Sequence, residues 1–93
     1  MDKEIVARRL SGARGKSISA SEIVYAGREP EVGGIERISV EMSDGTWWTL
    51  LPGNEAYGGP DDAPEYWKNG ARVEHHKGID ALVAKMAANV STK

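Results

Sequence analysis

The sequence predicts a small α+β domain: an antiparallel sheet packed by a C-terminal helix, with a short N-terminal helix. Two observations carry this prediction. Apolar and polar residues alternate on both sides of a turn, over residues 35–42 and 46–51, as in a β-hairpin. Apolar residues also recur at helical spacing over residues 79–90. A chain of 93 residues builds one modest core, so we expect residues 1–93 to form a single domain with one or two further strands beside the hairpin.

The first predicted element is a short helix over residues 2–10. Asp2 and Glu4 lie in its first turn and two arginines lie in its last turn, an arrangement that suits the helix dipole. The Ser11-Gly12 pair is expected to end this helix. We expect residues 11–17, which are small and basic, to form a mobile connection.

Residues 18–27 carry two competing signals. Ser19 and Glu22 match a capping box, which favours a short helix, whereas the β-prone residues 23–25 favour a strand. A lone hairpin is barely stable, and a third strand would stabilise it, so we predict a strand. Residues 28–34 contain a proline and a Gly-Gly pair, and they are predicted to be a loop.

The register of the hairpin decides which of two adjacent tryptophans is buried. A two-residue turn would pair Met42 with Trp47, whereas a three-residue turn with Gly45 as a left-handed bulge residue would pair Met42 with Thr46. The second register places only apolar residues on one face: Ile38, Val40, Met42, Trp48 and Leu50. We therefore predict that Trp48 is in the core and that Trp47 lies on the other face with Glu41.

The second half of the chain is predicted to hold a loop, a short helix, a strand and a longer helix. The loop covers residues 52–62, and a helix over 63–69 ends at Asn69-Gly70. A strand covers 71–76, where apolar and polar residues alternate. The C-terminal helix should lie across the sheet through the apolar residues that share one face: Ile79, Leu82, Val83, Met86 and Val90.

The net charge of −2 hides a segregation of charge along the chain. Residues 17–66 hold ten acids and two arginines, a net charge of −8, whereas the segments 1–16 and 67–93 each hold five bases and two acids, a net charge of +3. The sequence holds no cysteine, no apolar signal-peptide run and no segment of transmembrane length. We therefore expect a cytoplasmic protein without membrane contact.

No motif in the sequence predicts catalysis, a cofactor or a bound metal. Residues 12–17 resemble part of a phosphate loop, but the position five residues before its Gly-Lys pair holds Leu10 instead of glycine. His75 and His76 are the only histidines. Because neighbouring residues on a strand face opposite ways, they cannot easily share a metal. A small enzyme or metal site around these two histidines remains one alternative hypothesis.

A second alternative is DNA binding by a helix-turn-helix. Helices over 2–10 and 19–27 would form it, with Arg8, Arg9, Arg14 and Lys16 neutralising phosphates. The predicted recognition helix, however, holds no basic residue and one acid, Glu22, so it has nothing with which to recognise guanine. Nucleic acid is therefore a less favoured partner.

The leading hypothesis is a non-enzymatic binding module whose acidic and aromatic face engages a basic protein surface, for example one that normally binds nucleic acid. Aromatic residues would anchor the complex and acids would steer its formation. The predicted contact residues are Glu41, Asp44, Trp47, Glu55, Tyr57, Asp61, Asp62, Glu65 and Trp67. In its small size, lack of cysteine and acidic centre, the chain resembles small phage-encoded or accessory inhibitors that bind host machinery. A homodimer through an uncovered sheet edge is a further expectation.

Overall fold

The computed structural model describes residues 1–91, with side chains described up to Asn89. Six antiparallel strands follow one another across a single sheet in sequence order, two α-helices flank them, and the predicted α+β class is confirmed. No helix among the described residues is both long and apolar enough to cross a membrane. The elements are α1 (Lys3–Arg14), β1 (Ile23–Val32), β2 (Ile35–Met42), β3 (Trp47–Leu51), β4 (Glu55–Gly59), β5 (Glu65–Lys68), β6 (Ala71–Val73) and α2 (Ile79–Ser91).

The two helices belong to two different hydrophobic clusters of the sheet. Helix α1 packs on one face through residues such as Val6 and Leu10, which join Trp48 and Leu50 in the main core. Helix α2 packs through Val83 against a smaller cluster that contains Leu51. Since Leu50 and Leu51 are neighbours on β3, they point to opposite faces; we call these the α1 face and the α2 face. The side chain of Val90 lies outside the described residues.

The predicted register of the hairpin is confirmed. The Met42 N–H donates to the Thr46 carbonyl at 2.9 Å, and the Gly45 N–H donates to the Met42 carbonyl at 3.1 Å. Gly45 has a φ of 89°, the left-handed conformation that this turn requires. Trp48 is 3% exposed in the main core, and Trp47 is half-buried on the opposite face.

Helix α1 is longer than predicted, because the Ser11-Gly12 pair does not end it. The Ser11 hydroxyl donates to the Ala7 carbonyl at 2.6 Å and accepts from the Ile18 N–H at 2.9 Å. These bonds keep Ser11 inside the helix while tying the following segment to it. Helix α1 ends instead at Gly15, which adopts the left-handed conformation with a φ of 63°.

Both features that the sequence favours over residues 18–27 occur, a helical turn first and a strand after it. The capping box of Ser19 and Glu22 closes a single 3₁₀ turn, Ala20–Glu22, and the predicted strand follows as β1. The predicted loop over 28–34 is wrong in its first part, because β1 continues to Val32 and only Gly33 and Gly34 form the turn. A second helix of a helix-turn-helix is therefore absent from residues 19–27.

Two predictions over residues 52–69 are wrong. The predicted loop contains β4, and the predicted helix over 63–69 is strand β5. Tyr66 lies opposite Tyr57, and Trp67 lies opposite Ala56, so each strand supplies the backbone partners that the other needs. Four strands therefore join the hairpin, rather than one or two. The strand predicted over 71–76 ends at Val73.

Candidate functional site

Helix α2 leaves part of its sheet face open. Tyr25, Glu41 and Trp47 lie in one row across β1, β2 and β3, because Glu41 is the cross-strand partner of both other residues. Tyr25 is 51% exposed, Glu41 is exposed and Trp47 is half-buried. We call this row the open face; it presents two aromatic rings on either side of a carboxylate.

The Trp47 ring is supported from within the sheet. Its centroid lies 6.1 Å from that of Tyr57 at an interplanar angle of 51°, and Tyr57 is only 7% exposed. Tyr57 in turn makes an edge contact with His76 at a centroid distance of 5.5 Å. A half-buried indole that packs on a buried aromatic ring is held in place before any partner binds, which lowers the entropic cost of binding.

Three further predicted acids lie beyond one end of the sheet. The turn between β2 and β3 carries Asp44, and the loop between β4 and β5 carries Asp61 and Asp62; both connections leave the sheet at the same end because Trp47 pairs with Gly59. All three acids are exposed. Within residues 1–89, no ion pair engages Glu41 or any of these three carboxylates.

The Asp44 carboxylate is held in its charged form by the turn itself. It accepts hydrogen bonds from the Thr46 hydroxyl at 2.6 Å and from the Thr46 N–H at 2.9 Å. These bonds lower the pKa of Asp44, the hydroxyl having the larger effect. The acid nearest the hairpin tip is therefore harder to protonate than an ordinary aspartate.

Two predicted contact residues, Glu65 and Trp67, lie on the opposite side of the sheet. Their cross-strand partners, Gly58 and Ala56, belong to the α1 face, and the Trp67 indole N–H donates to the Glu65 carboxylate at 2.9 Å. The nine predicted residues therefore do not share one surface.

The Arg14 guanidinium holds Trp67 against the main core. Its central carbon lies 4.2 Å from the ring centroid of Trp48 and 4.8 Å from that of Trp67. Burial lowers the pKa of Arg14, while the charge of Glu65 acts in the opposite direction. Trp67 thus links the end of helix α1 to strand β5.

Glu55 also lies away from the open face. It is 7% exposed, accepts a hydrogen bond from the Tyr66 hydroxyl, and has the ammonium of Lys68 at 4.0 Å. Burial, followed by the bond to Glu55, raises the pKa of Tyr66. A cavity of about 220 Å³ adjoins this pair under α2, and its other lining residues include His76 and Lys85.

The two histidines occupy different environments. His75 is exposed, whereas His76 is half-buried, with its ring near those of Tyr57 and Tyr66. Among the described residues, no three histidine or carboxylate side chains are grouped so as to hold a metal ion. His76 and Glu55 line the same cavity, but among the described residues the His76 Nδ1 is buried without a hydrogen-bond partner. The alternative enzyme hypothesis, which requires a histidine beside a carboxylate, stays a prediction.

The glycines that resemble a phosphate loop serve helix packing. A Cβ on Gly12 would lie 2.8 Å from the Asn54 side-chain oxygen, and one on Gly15 would lie 2.6 Å from the Gly70 carbonyl oxygen. The Gly70 N–H also donates to the Ala13 carbonyl at 2.9 Å. The segment is the end of a helix pressed against two hairpin turns, a geometry unlike that of a phosphate loop, which precedes a helix.

Tyr25 lies on the open face, but the sequence analysis did not predict it as a contact residue. A β-bulge lies between Ile23 and Tyr25, and this extra residue moves Tyr25 to the α2 face beside Glu41. Alternation alone would have assigned Tyr25 to the same face as Ile23, which is in the main core. No signal in the sequence marks that bulge.

Comparison with known proteins identifies no relative of this chain. No protein-family model, no curated protein and no solved structure matches the chain.

Proposed function

We propose that this protein is a non-enzymatic binding module of the inhibitor type, which engages a basic surface on another protein through Trp47, Glu41 and the neighbouring acids. The observation that carries the proposal is the half-buried indole of Trp47 beside the exposed carboxylate of Glu41, on a part of the sheet that neither helix covers within the described residues. Aromatic side chains held in place by packing dominate the binding energy of many interfaces.

The negative charge around Trp47 favours a partner with a positively charged surface. Glu41, Asp44, Asp61 and Asp62 are exposed and form no ion pair within the described residues. Exposed acids at the rim of an aromatic site attract a positively charged surface and accelerate association. A protein whose basic surface normally holds nucleic acid has the complementary charge.

The experiment captures partners from an extract of the source cells and then measures the affinity of the retained protein for defined variants. Trp47→Ala should lower the affinity about 30-fold, because a central aromatic anchor contributes about 2 kcal/mol or more. The triple variant Asp44→Asn, Asp61→Asn and Asp62→Asn should lower the affinity at low salt and reduce its salt dependence.

Two controls separate loss of binding from loss of fold or of overall charge. Trp47→Ala should lower the free energy of unfolding by less than Trp48→Ala, because the Trp47 ring is half-buried whereas Trp48 is a core ring whose removal costs about 3–5 kcal/mol. Neutralising the exposed acids Glu4, Glu74 and Asp80 changes the net charge equally but leaves the proposed site intact. If Trp47→Ala binds as tightly as the parent, or if the remote triple variant loses as much affinity as the local one, the proposal is wrong.

A further inference from the structure

The cavity beneath helix α2 lies between that helix and the last three strands of the sheet. Strands β4, β5 and β6 form one wall, α2 forms the other, and the connection from β6 to α2 closes one end. The volume of this cavity is about 220 Å³, and a second cavity of about 270 Å³ shares four of its lining residues. Since pockets for drug-sized ligands measure about 300–1,000 Å³, this space suits a compact ligand.

The lining of the two cavities is positively charged, although the whole chain carries a net charge of −2. Three lysines and one acid line them, a net charge of +2 with neutral histidines: Lys68, Lys77, Lys85 and Glu55. The Glu55 carboxylate already accepts a hydrogen bond from Tyr66 and lies 4.0 Å from the Lys68 ammonium. Within the described residues no salt bridge engages Lys77 or Lys85. A concave site with a surplus of one charge concentrates ligands of the opposite charge.

The His76 ring supplies a second, independent observation. It lines both cavities, and its Nδ1 is buried without a hydrogen-bond partner among the described residues. An unpaired polar atom in the interior costs free energy, and each one in a folded protein requires an explanation. An imidazole nitrogen that carries its proton donates to oxygen. A turn of this ring towards an oxyanion in the cavity therefore gains a hydrogen bond that the protein alone does not provide.

The remaining lining residues give the cavity an apolar wall. Val73 of β6 lies on the sheet side, and Leu82 and Met86 of α2 lie on the helix side. All three side chains are half-buried, so a ligand that covers them removes apolar surface from water. The site thus combines positive charge with an apolar surface, which is the lining expected for an amphipathic anion.

We propose that this cavity binds a small organic anion, whose carboxylate or phosphate group lies between Lys85 and His76 and whose apolar part packs between β6 and α2. Glu55 makes the site unsuitable for a larger anionic group at its inner end, because a second negative charge there would lie against a buried carboxylate. A cationic ligand is disfavoured, because Lys68 already lies beside Glu55.

The test uses four small probes, each titrated to about 20 mM at constant ionic strength, with binding followed by NMR of the ¹⁵N-labelled protein. Phenyl phosphate and benzoate both carry a ring and an oxyanion, and they distinguish the two head groups. At least one of them should bind with a dissociation constant below about 5 mM and move the amide signals of residues 75–86. Inorganic phosphate should bind at least about fivefold more weakly, because it has no apolar part. Benzylamine, a cation of similar size, should not bind.

The matched variants are Lys85→Gln and Lys3→Gln, which remove the same charge from exposed positions on α2 and α1. Lys85→Gln should weaken binding of the preferred anion at least about fivefold, because it removes a charge-assisted hydrogen bond, whereas Lys3→Gln should bind like the parent. Circular dichroism should show that both variants fold, since both side chains are exposed.

Four results would each overturn the proposal: no spectral change with either organic anion, changes confined to residues outside the cavity, binding of benzylamine as tight as that of the anions, or equal affinity in the parent and Lys85→Gln. The probes and variants leave Trp47 and its neighbouring acids unchanged. The outcome is therefore independent of the proposed function.

Discussion

The hydroxyl of Tyr66 donates a hydrogen bond to the carboxylate of Glu55 on the α2 face of the sheet, where each residue is 7% exposed. Among the residues with described side chains, Glu55 is the one charged residue that is buried. A buried carboxylate is stable only where hydrogen bonds and a counter-charge replace water. Tyr66 supplies the first, and Lys68, 4.0 Å from the carboxylate, contributes the second.

Tyr66→Phe should lower the free energy of unfolding by about 1.5–3 kcal/mol at neutral pH, because it leaves the Glu55 carboxylate without its buried donor. Since the pKa of Tyr66 is raised in the folded protein, the contribution of the hydroxyl is complete below the pKa of an unfolded tyrosine, about 10. Above that pH the unfolded chain releases the proton and the folded protein keeps it, so stability falls. Urea unfolding at pH 7 to 11 measures both effects.

The matched control for this prediction is Tyr25→Phe, which removes a hydroxyl from a side chain that is 51% exposed. It should change the unfolding free energy by less than about 0.5 kcal/mol. The stability difference between the parent and Tyr66→Phe should shrink as the pH rises above 10. A difference that stays constant to pH 11 would show that the Tyr66 proton is not retained by the fold.

Arg14→Ala should lower the free energy of unfolding by about 1–2 kcal/mol, because its guanidinium lies against the rings of Trp48 and Trp67. Arg14→Lys should lose part of this stability although it keeps the charge, since a compact ammonium cannot stack flat on an indole. Arg8→Ala, on the exposed side of the same helix, is the control. Equal midpoints of urea unfolding for the Arg8 and Arg14 variants would contradict a stabilising role for the stack.

Gly15→Ala should be more destabilising than Gly34→Ala. Both glycines have positive φ angles, 63° and 78°, so each substitution places alanine in the left-handed region at about 1–2 kcal/mol. A Cβ on Gly15 would also meet the Gly70 backbone at 2.6 Å, whereas a Cβ on Gly34 would meet nothing within 4 Å. Thermal unfolding of the two variants measures the extra loss of stability that comes from the close approach of α1 to the turn between β5 and β6. Equal losses of stability in the two variants would show that this contact adjusts to the added methyl group without strain.

Short-range sequence patterns were sufficient to predict the elements whose own residues form one apolar and one polar face. The hairpin register follows from one apolar face and one glycine turn, and the C-terminal helix follows from its apolar spacing. Strands β4 and β5 were missed because their residues become strands only by pairing with each other and with β3. Glycine and proline in residues 52–64 are typical of a loop, and only the neighbouring strands stabilise an extended backbone there.

Only the part of the candidate site that lies within the hairpin was predicted, because only that part depends on short-range patterns. Placing Trp47 and Glu41 on one face needed only the alternation of a single hairpin. The separation of Trp67 and Glu65 from them depends on the true register of β5, and the position of Tyr25 depends on a bulge. Glu55 shares a cavity with residues of helix α2, which is distant in sequence.

The amino-acid sequence by itself determined the α+β class, the hairpin and the divergence of its two tryptophans, because side-chain alternation and turn geometry are local properties of the backbone. The tertiary structure alone decided how many strands the sheet has, which strands form its edges, and which acids are buried or exposed. Those outcomes depend on contacts between residues far apart in the chain, where packing and backbone pairing outweigh local preference.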